Sequence, residues 1–172
     1  MTPTKIFIST SFFFLCLTGS PLSAEVLQID SDFEGKLDQW HHKSKHGKII
    51  KIEYDKNSDG TVDQVDKYDG NAKPIKVKLD RDFVGTLDQI QHYDKQFNLM
   101  HIEKDSRNSG LIDWREFYSR SNVVIRLETD ENKNGKLDVF QFFSENGYLQ
   151  KVEYDTSGNG NIDRWENFEA NE

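Results

Sequence analysis

Short acidic segments with oxygen-bearing side chains at alternate positions recur along this sequence. The segment 55–63 reads DKNSDGTVD, and the segment 155–163 reads DTSGNGNID. Calcium takes about six to eight oxygen ligands, and short side chains at the first, third and fifth positions of a tight loop can point at one ion. The glycine at the sixth position allows a sharp turn, and the backbone carbonyl of the seventh residue can add a ligand. The pattern therefore predicts calcium-binding loops.

The acidic loops repeat with a period of 25 residues, without insertion or deletion. Each unit begins with an aspartate, which a glycine follows five residues later and a second aspartate eight residues later. Residues 25–172 are therefore predicted to form one domain of six units, which start at 30, 55, 80, 105, 130 and 155. The near copies DFEGKLDQ (32–39) and DFVGTLDQ (82–89) add a weaker 50-residue pattern, which indicates duplication of a two-unit block.

The six loops differ in the oxygen ligands that they offer. Counting the carbonyl of the seventh residue, the candidate calcium ligands are Asp55, Asn57, Asp59, Thr61, Asp63 and Asp66 in unit two; Asp155, Ser157, Asn159, Asn161, Asp163 and Glu166 in unit six; Asp130, Asn132, Asn134, Lys136 and Asp138 in unit five; and Asp30, Asp32, Glu34 and Asp38 in unit one. The third loop has Val84 at its fifth position. The fourth has Arg107 at its third position, where a cation opposes a metal ion and could pair with Asp105 or Asp113 instead. For these two loops we expect ordinary polar turns, which remain an alternative for the others because Asp, Asn and Ser bond readily to their own backbone.

Each loop is followed by segments that favour β-strands. IIKIEY (49–54) alternates, so that Ile50, Ile52 and Tyr54 are expected on one face of a half-buried strand. The segment just after each loop is ambiguous, because its apolar spacing suits a helix and its aromatic density suits a strand. The residues left between 12-residue loops are too few for two EF-hand helices and a linker, but they fit a hairpin. We predict an all-β antiparallel meander of six loop–hairpin units; the alternative is a set of helical, EF-hand-like repeats.

The DxDxDG-type loops resemble the calcium loop of EF-hand proteins. They are also similar to the loops that occur without EF helices in thrombospondin type 3 and dockerin-like repeats. The resemblance covers nine to twelve residues of each 25-residue unit and leaves out the hairpin. It implies Ca²⁺ as the cofactor, with contacts at the positions named above in units two, five and six and a weaker set in unit one.

The ends and the composition of the chain bear on its location. Residues 1–24, with Lys5, an apolar run and small residues, have the layout of a secretory signal peptide; a lipid anchor at Cys16 or an uncleaved anchor helix are the alternatives. Cys16 is the single cysteine, so the chain after cleavage has no disulfide. The net charge of -8 argues against nucleic acid as a partner. We expect a secreted or periplasmic protein with no membrane span after cleavage.

The function expected from these observations is that of an exported, non-enzymatic calcium-binding repeat protein whose acidic loops are stabilised by the ion. The alternative is an extracellular module that binds a protein or a glycan, in which the loops are only structural. No nucleophile with a base is recognisable, and we expect no zinc site from His41 and His42 because neighbouring strand residues point to opposite faces. In a meander, adjacent loops are about 10 Å apart, so their carboxylates should repel each other and bound cations should relieve this repulsion.

Overall fold

The computed structural model describes residues 25–169, which form 12 β-strands and no helix. The strands are β1 (Glu25–Ile29), β2 (Gln39–Lys43), β3 (Ile49–Tyr54), β4 (Gln64–Tyr68), β5 (Pro74–Leu79), β6 (Gln89–Tyr93), β7 (Leu99–Lys104), β8 (Trp114–Tyr118), β9 (Val124–Thr129), β10 (Val139–Phe143), β11 (Leu149–Tyr154) and β12 (Arg164–Asn167). They form one antiparallel sheet in sequence order. The predicted all-β meander is confirmed for these residues, and the helical alternative is wrong. The signal peptide expected at 1–24 lies outside the described residues.

The connections between the strands alternate between long loops and tight turns. The six acidic loops join β1 to β2, β3 to β4, β5 to β6, β7 to β8, β9 to β10 and β11 to β12. Because the strands are antiparallel and pair in order, all six loops lie at the same ends of the strands, in a row along one side of the sheet. We call this row the loop edge. The five tight turns, at 44–48, 69–73, 94–98, 119–123 and 144–148, lie along the opposite edge, the turn edge. The topology thus brings the candidate ligands together in one row.

The sheet is a single layer with little apolar core. Each strand contacts only the strands that precede and follow it in the sequence. The apolar side chains that are buried within residues 25–169 are Ile52, Val65, Ile102 and Val152. Most of the other buried residues are aspartates, which proteins rarely bury without a partner. The loop edge therefore supplies most of the buried residues of this sheet.

A β-bulge interrupts the strand pairing beside each tight turn. In the pairing of β2 with β3, the register shifts between His42 and Lys43, so that Lys43 lies opposite Ile49. The side chain of Ile50 is 41% exposed, whereas Ile52 is buried. Ile50 lies next to this irregularity and is more exposed than Ile52, which lies further from the turn. In the adjoining turn, Gly47 has a left-handed backbone with φ of 76°.

Candidate functional site

The first aspartate of each loop accepts hydrogen bonds from the loop's own backbone. In unit two, the Asp55 carboxylate accepts the N–H of Asp59 at 3.2 Å on one oxygen and the N–H of Gly60 at 2.8 Å on the other. The bond from the glycine N–H recurs in all six units. This aspartate therefore holds the turn together from inside, as an Asx turn does.

The ninth-position aspartate closes the loop from its other end. The Asp63 carboxylate accepts the N–H of Lys56 at 2.6 Å and the N–H of Asn57 at 3.2 Å. The equivalent bond to the second residue of the loop is present in every unit. Two aspartates per unit thus satisfy loop N–H groups that would otherwise lack partners in the fold. The fixed spacing of these aspartates follows from this clamp, whether or not an ion is bound.

The loop backbone has two left-handed positions. The glycine at the sixth position, which the sequence pattern singled out, has φ of 92° in Gly60. The fourth residue is also left-handed, and Phe33 and Lys133 have φ of 63° and 62° there. The sequence carries no general signal for this second position, because a phenylalanine or a lysine seldom adopts positive φ.

The third and fifth side chains of the loops of units two, five and six take part in the same network from its exposed side. The Asn57 amide oxygen accepts the N–H of Asp59 at 3.1 Å, and the Asp59 carboxylate accepts the N–H of Thr61 at 2.7 Å. Hydrogen bonds from Asn57 and Thr61 lower the pKa of Asp59. Asn132 and Asn134 in unit five, and Asn159 in unit six, accept the corresponding N–H bonds. These oxygens are held by the backbone at the positions where an EF-hand-like loop has its ligands.

Unit one brings three carboxylates together. One oxygen each of Asp30, Asp32 and Asp38 lie within 4.8 Å of one another, close enough to bind one metal ion. Both Asp30 and Asp32 also accept the N–H of Glu34 at 3.2 Å. Of the four loops predicted to bind calcium, the one with the weaker ligand set by sequence therefore brings three carboxylates within reach of one ion.

The twelfth-position acids lie within strands and have strand neighbours as partners. The Asp66 carboxylate accepts hydrogen bonds from the Gln64 amide at 2.6 Å and from the Tyr68 hydroxyl at 3.3 Å. In unit six, Glu166 pairs with Arg164 on the last strand. Because these carboxylates are engaged on the sheet, we leave them out of the ligand set that we propose below.

Consecutive loops are joined by pairs of buried aspartates. The N–H of each first-position aspartate donates to the carbonyl of the ninth-position aspartate of the preceding unit, at 2.7–3.0 Å. We call these aspartate pairs; they are Asp38/Asp55, Asp63/Asp80, Asp88/Asp105, Asp113/Asp130 and Asp138/Asp155. All ten residues are between 2% and 9% exposed. The loop edge is therefore a row of buried carboxylates.

Arg107 is the basic residue that lies within this row. Its guanidinium contacts the Asp113 carboxylate at 3.0 Å and the Asp130 carboxylate at 2.7 Å. It also donates to the Asp130 carbonyl at 3.0 Å. The sequence suggested a pairing with Asp105 or Asp113; the partners are Asp113 and, in the next unit, Asp130. Burial opposes ionisation of Asp130, but the Gly135 N–H and Arg107 outweigh it, so that the pKa of Asp130 is lowered.

Neighbouring loops also touch elsewhere along the edge. The Lys36 ammonium donates to the Ser58 carbonyl at 3.2 Å, from unit one to unit two. The Asn108 amide donates to the Asp82 carboxylate at 2.6 Å, from unit four to unit three. The loops are therefore coupled directly, at closer range than strand spacing alone suggests.

A second group of metal-ligand type lies on a sheet face. One ligand atom each of His92, His101 and Glu103 lie within 4.8 Å of one another, and the two imidazole rings stack at 4.1 Å. Sequence reasoning missed the group because only the register of β6 with β7 places these histidines opposite each other. Burial, together with the neighbouring His92, lowers the pKa of His101. Arg115 pairs with Glu103 at 3.1 Å, and this cation opposes a metal ion there.

The histidines that the sequence raised as zinc candidates have separate partners. His41 bonds to Gln39 at 3.1 Å, and His42 bonds to Glu53 at 2.6 Å. The two side chains therefore bond to different residues.

Comparison with protein-family models and with curated proteins finds no match to this chain. The residues that the structure describes include no helix long and apolar enough to cross a membrane.

Proposed function

We propose that this chain is an exported, non-enzymatic calcium-binding repeat protein whose loops bind Ca²⁺ and are stabilised by it. The support is the loop edge, where carboxylate and amide oxygens are gathered in a row and held in place by backbone N–H groups. Hard oxygen ligands of this kind suit Ca²⁺. Outside the cytoplasm, dissociation constants of about 10⁻⁴–10⁻³ M suffice for binding.

The proposed ligands are those of units one, two, five and six, without the strand residues Asp66 and Glu166. They are Asp30, Asp32, Glu34 and Asp38; Asp55, Asn57, Asp59, Asp63 and the Thr61 carbonyl; Asp130, Asn132, Asn134, Asp138 and the Lys136 carbonyl; and Asp155, Ser157, Asn159, Asp163 and the Asn161 carbonyl. Bound cations offset the repulsion between carboxylates of neighbouring loops, so calcium raises the thermal stability of the array.

The test is calorimetric titration with calcium, combined with thermal unfolding in excess calcium and in chelator. We expect the Asn57→Ala, Asp59→Ala double variant to bind one calcium ion fewer than the unaltered chain, because it removes exposed oxygens and keeps the aspartate clamp. The matched control is Asp69→Ala, Asn71→Ala, which removes the same residue types from a turn on the opposite edge. Thermal unfolding that is identical in calcium and in chelator contradicts the proposal, and so does an unchanged stoichiometry in the loop variant.

The second candidate function is an extracellular module that binds a protein or a glycan through a sheet face. It is supported by loops that close through their own backbone bonds and by exposed aromatic residues, among which Trp165 is 62% exposed. If calcium has no effect on stability, this function is favoured. A titration with glycans that quenches tryptophan fluorescence, and loses that effect in Trp165→Ala, then supports it.

A further inference from the structure

The five aspartate pairs along the loop edge differ in how their carboxylate oxygens are satisfied. In the pair Asp113/Asp130, the guanidinium of Arg107 lies between the two carboxylates and also contacts the Asp130 carbonyl. Arg107 itself is the third residue of the fourth loop. The repeat can therefore place a cation between the ninth-position aspartate of one unit and the first-position aspartate of the next.

The pair Asp63/Asp80 lies at the same place two units earlier, since it is offset by 50 residues from Asp113/Asp130. Its backbone bond, from the Asp80 N–H to the Asp63 carbonyl, is 2.7 Å long. The residue equivalent to Arg107 is Asn57, which carries no charge. This aspartate pair therefore has the same backbone frame without the built-in cation.

Each carboxylate of this pair has one satisfied oxygen and one unsatisfied oxygen. Asp63 bonds the N–H of Lys56 and Asn57 through Oδ2, and Asp80 bonds the N–H of Gly85 at 2.7 Å through Oδ2. The Oδ1 atoms of both aspartates are buried and have no hydrogen-bond partner among residues 25–169. Among residues 25–169, no other buried side-chain oxygen lacks a hydrogen-bond partner. The two residues are only 2% and 3% exposed.

Two neighbouring buried carboxylates that each leave one oxygen without a partner are strongly destabilising unless a cation or a proton neutralises them. The equivalence with Arg107 indicates a cation, because the same frame holds a positive group between units four and five. The carbonyl of Asp80, which corresponds to the Asp130 carbonyl that Arg107 contacts, offers a third oxygen. Carboxylate and carbonyl oxygens are ligands that Ca²⁺ prefers.

We propose that Asp63 and Asp80 bind a Ca²⁺ ion between units two and three, at the place that the Arg107 guanidinium takes between units four and five. This inter-unit site deepens the proposed function but does not rest on the within-loop sites, because Asp80 belongs to the third unit, which contributes no ligand to them. The ion here links two repeats and does not close a single loop.

The first test is calcium stoichiometry, measured by equilibrium dialysis of the full chain, in Asp80→Asn. We expect the loss of one bound Ca²⁺ per chain and no loss of thermal stability in chelator, because the variant removes an unsatisfied buried charge. The matched control is Asp105→Asn, at the equivalent position of unit four, where both carboxylate oxygens have N–H partners. That control should keep the stoichiometry of the unaltered chain. Unchanged calcium binding in Asp80→Asn overturns the proposal. The two aspartates would then share a proton and would not bind a Ca²⁺ ion.

The second test uses the reciprocal change and does not depend on the behaviour of Asp80. Arg107→Asn makes the fourth unit resemble the second, so we expect it to bind one additional Ca²⁺ and to need calcium for its full thermal stability. Failure to gain an ion overturns the equivalence on which the proposal depends. The double variant Asn57→Ala, Asp59→Ala separates the two claims. If it keeps every ion while Asp80→Asn loses one, the inter-unit site stands and the within-loop site of unit two does not.

Discussion

The aspartate pairs Asp63/Asp80 and Asp113/Asp130 lie in the same backbone frame, 50 residues apart, yet they differ in their source of positive charge. Between units four and five, Arg107 lies against both carboxylates. Between units two and three, the equivalent Asn57 leaves an oxygen of each carboxylate without a partner among the described residues. We therefore expect this one side chain to decide whether this part of the loop edge is stable without an added cation.

The two pairs illustrate how buried carboxylates can be stabilised at the loop edge of a single-layer sheet with a thin apolar core. Buried carboxylates are stable when backbone N–H groups and a cation surround them, and costly when one of these is removed. A protein with a large apolar core could absorb such a cost, whereas this one has few buried apolar side chains. The stability of the array should therefore be sensitive to the positive charge between Asp113 and Asp130.

The largest effect on stability should come from removing the positive charge of Arg107. We expect Arg107→Met to lower the free energy of unfolding in chelator by about 2–4 kcal/mol, because Asp113 and Asp130 then remain buried without their partner. The estimate is reduced from that of a fully buried pair because the Arg107 side chain is 31% exposed. Urea unfolding with chelator present measures the loss. The control Arg164→Met removes an exposed arginine from the last strand, and an equal loss in the two variants contradicts the role assigned to Arg107.

Substitution of the glycines that donate to the first-position aspartates should have a smaller and more local effect on stability. Gly85 and Gly135 donate to Asp80 and Asp130, and their φ angles of 89° and 85° disfavour any other residue. We expect alanine at either position to cost about 1–2 kcal/mol in backbone strain. The cost should be only slightly larger at Gly135, where an added Cβ would lie 2.8 Å from Cδ1 at the end of the exposed Leu111 side chain, than at Gly85, where the nearest atom is 3.7 Å away.

Urea unfolding of Gly85→Ala and Gly135→Ala measures the difference. The control is Gly70→Ala on the turn edge, a glycine with open space at its Cβ and no positive φ, for which we expect a change within about 0.5 kcal/mol. A Gly135 variant as stable as the Gly85 variant would indicate that the Leu111 side chain moves aside without cost.

The sequence predicted the architecture because its 25-residue period leaves too little chain between loops for paired EF-hand helices. It also located the glycine that turns each loop, since Gly60 and its equivalents need positive φ. It could not locate the left-handed fourth position, because residues such as Phe33 give no local signal for it. The bulges beside the turns were likewise hidden, because alternation alone assumes a regular strand.

Contacts between units were the main part of the candidate site that the sequence left open. A repeat pattern shows which residues are equivalent, but it does not show that Arg107 reaches Asp130 across the boundary between two units. The stack of His92 on His101 was missed for the same reason, because it depends on strand register. Interactions within one loop are encoded by short spacing, whereas interactions between loops depend on how strands pair.

The smallest effect that we expect is on the pH dependence of stability. The pKa of Asp130 is below its usual value of 3.8, because the Gly135 N–H and Arg107 outweigh the opposing effect of burial. A carboxyl whose pKa is lowered by folding contributes stability that is present above the unfolded value and is lost as the pH falls through the folded value. In Arg107→Met this contribution shrinks, so acid unfolding should begin at a higher pH. Across pH 3–6, we compare the pH-dependent part of the unfolding free energy of Arg107→Met with that of the unaltered chain. We expect the two to differ by less than about 1.4 kcal/mol, the equivalent of one pKa unit.

This difference should be confined to the acid side of the profile, because Asp130 is ionised in both folded and unfolded chains near neutral pH. Urea unfolding in chelator at several pH values separates the shape of the profile from the constant loss caused by the substitution. If the profiles of Arg107→Met and the unaltered chain are parallel down to pH 3, Arg107 does not affect the ionisation of Asp130. The contrast with Asp63/Asp80 would then depend on packing and hydrogen bonding, and not on charge.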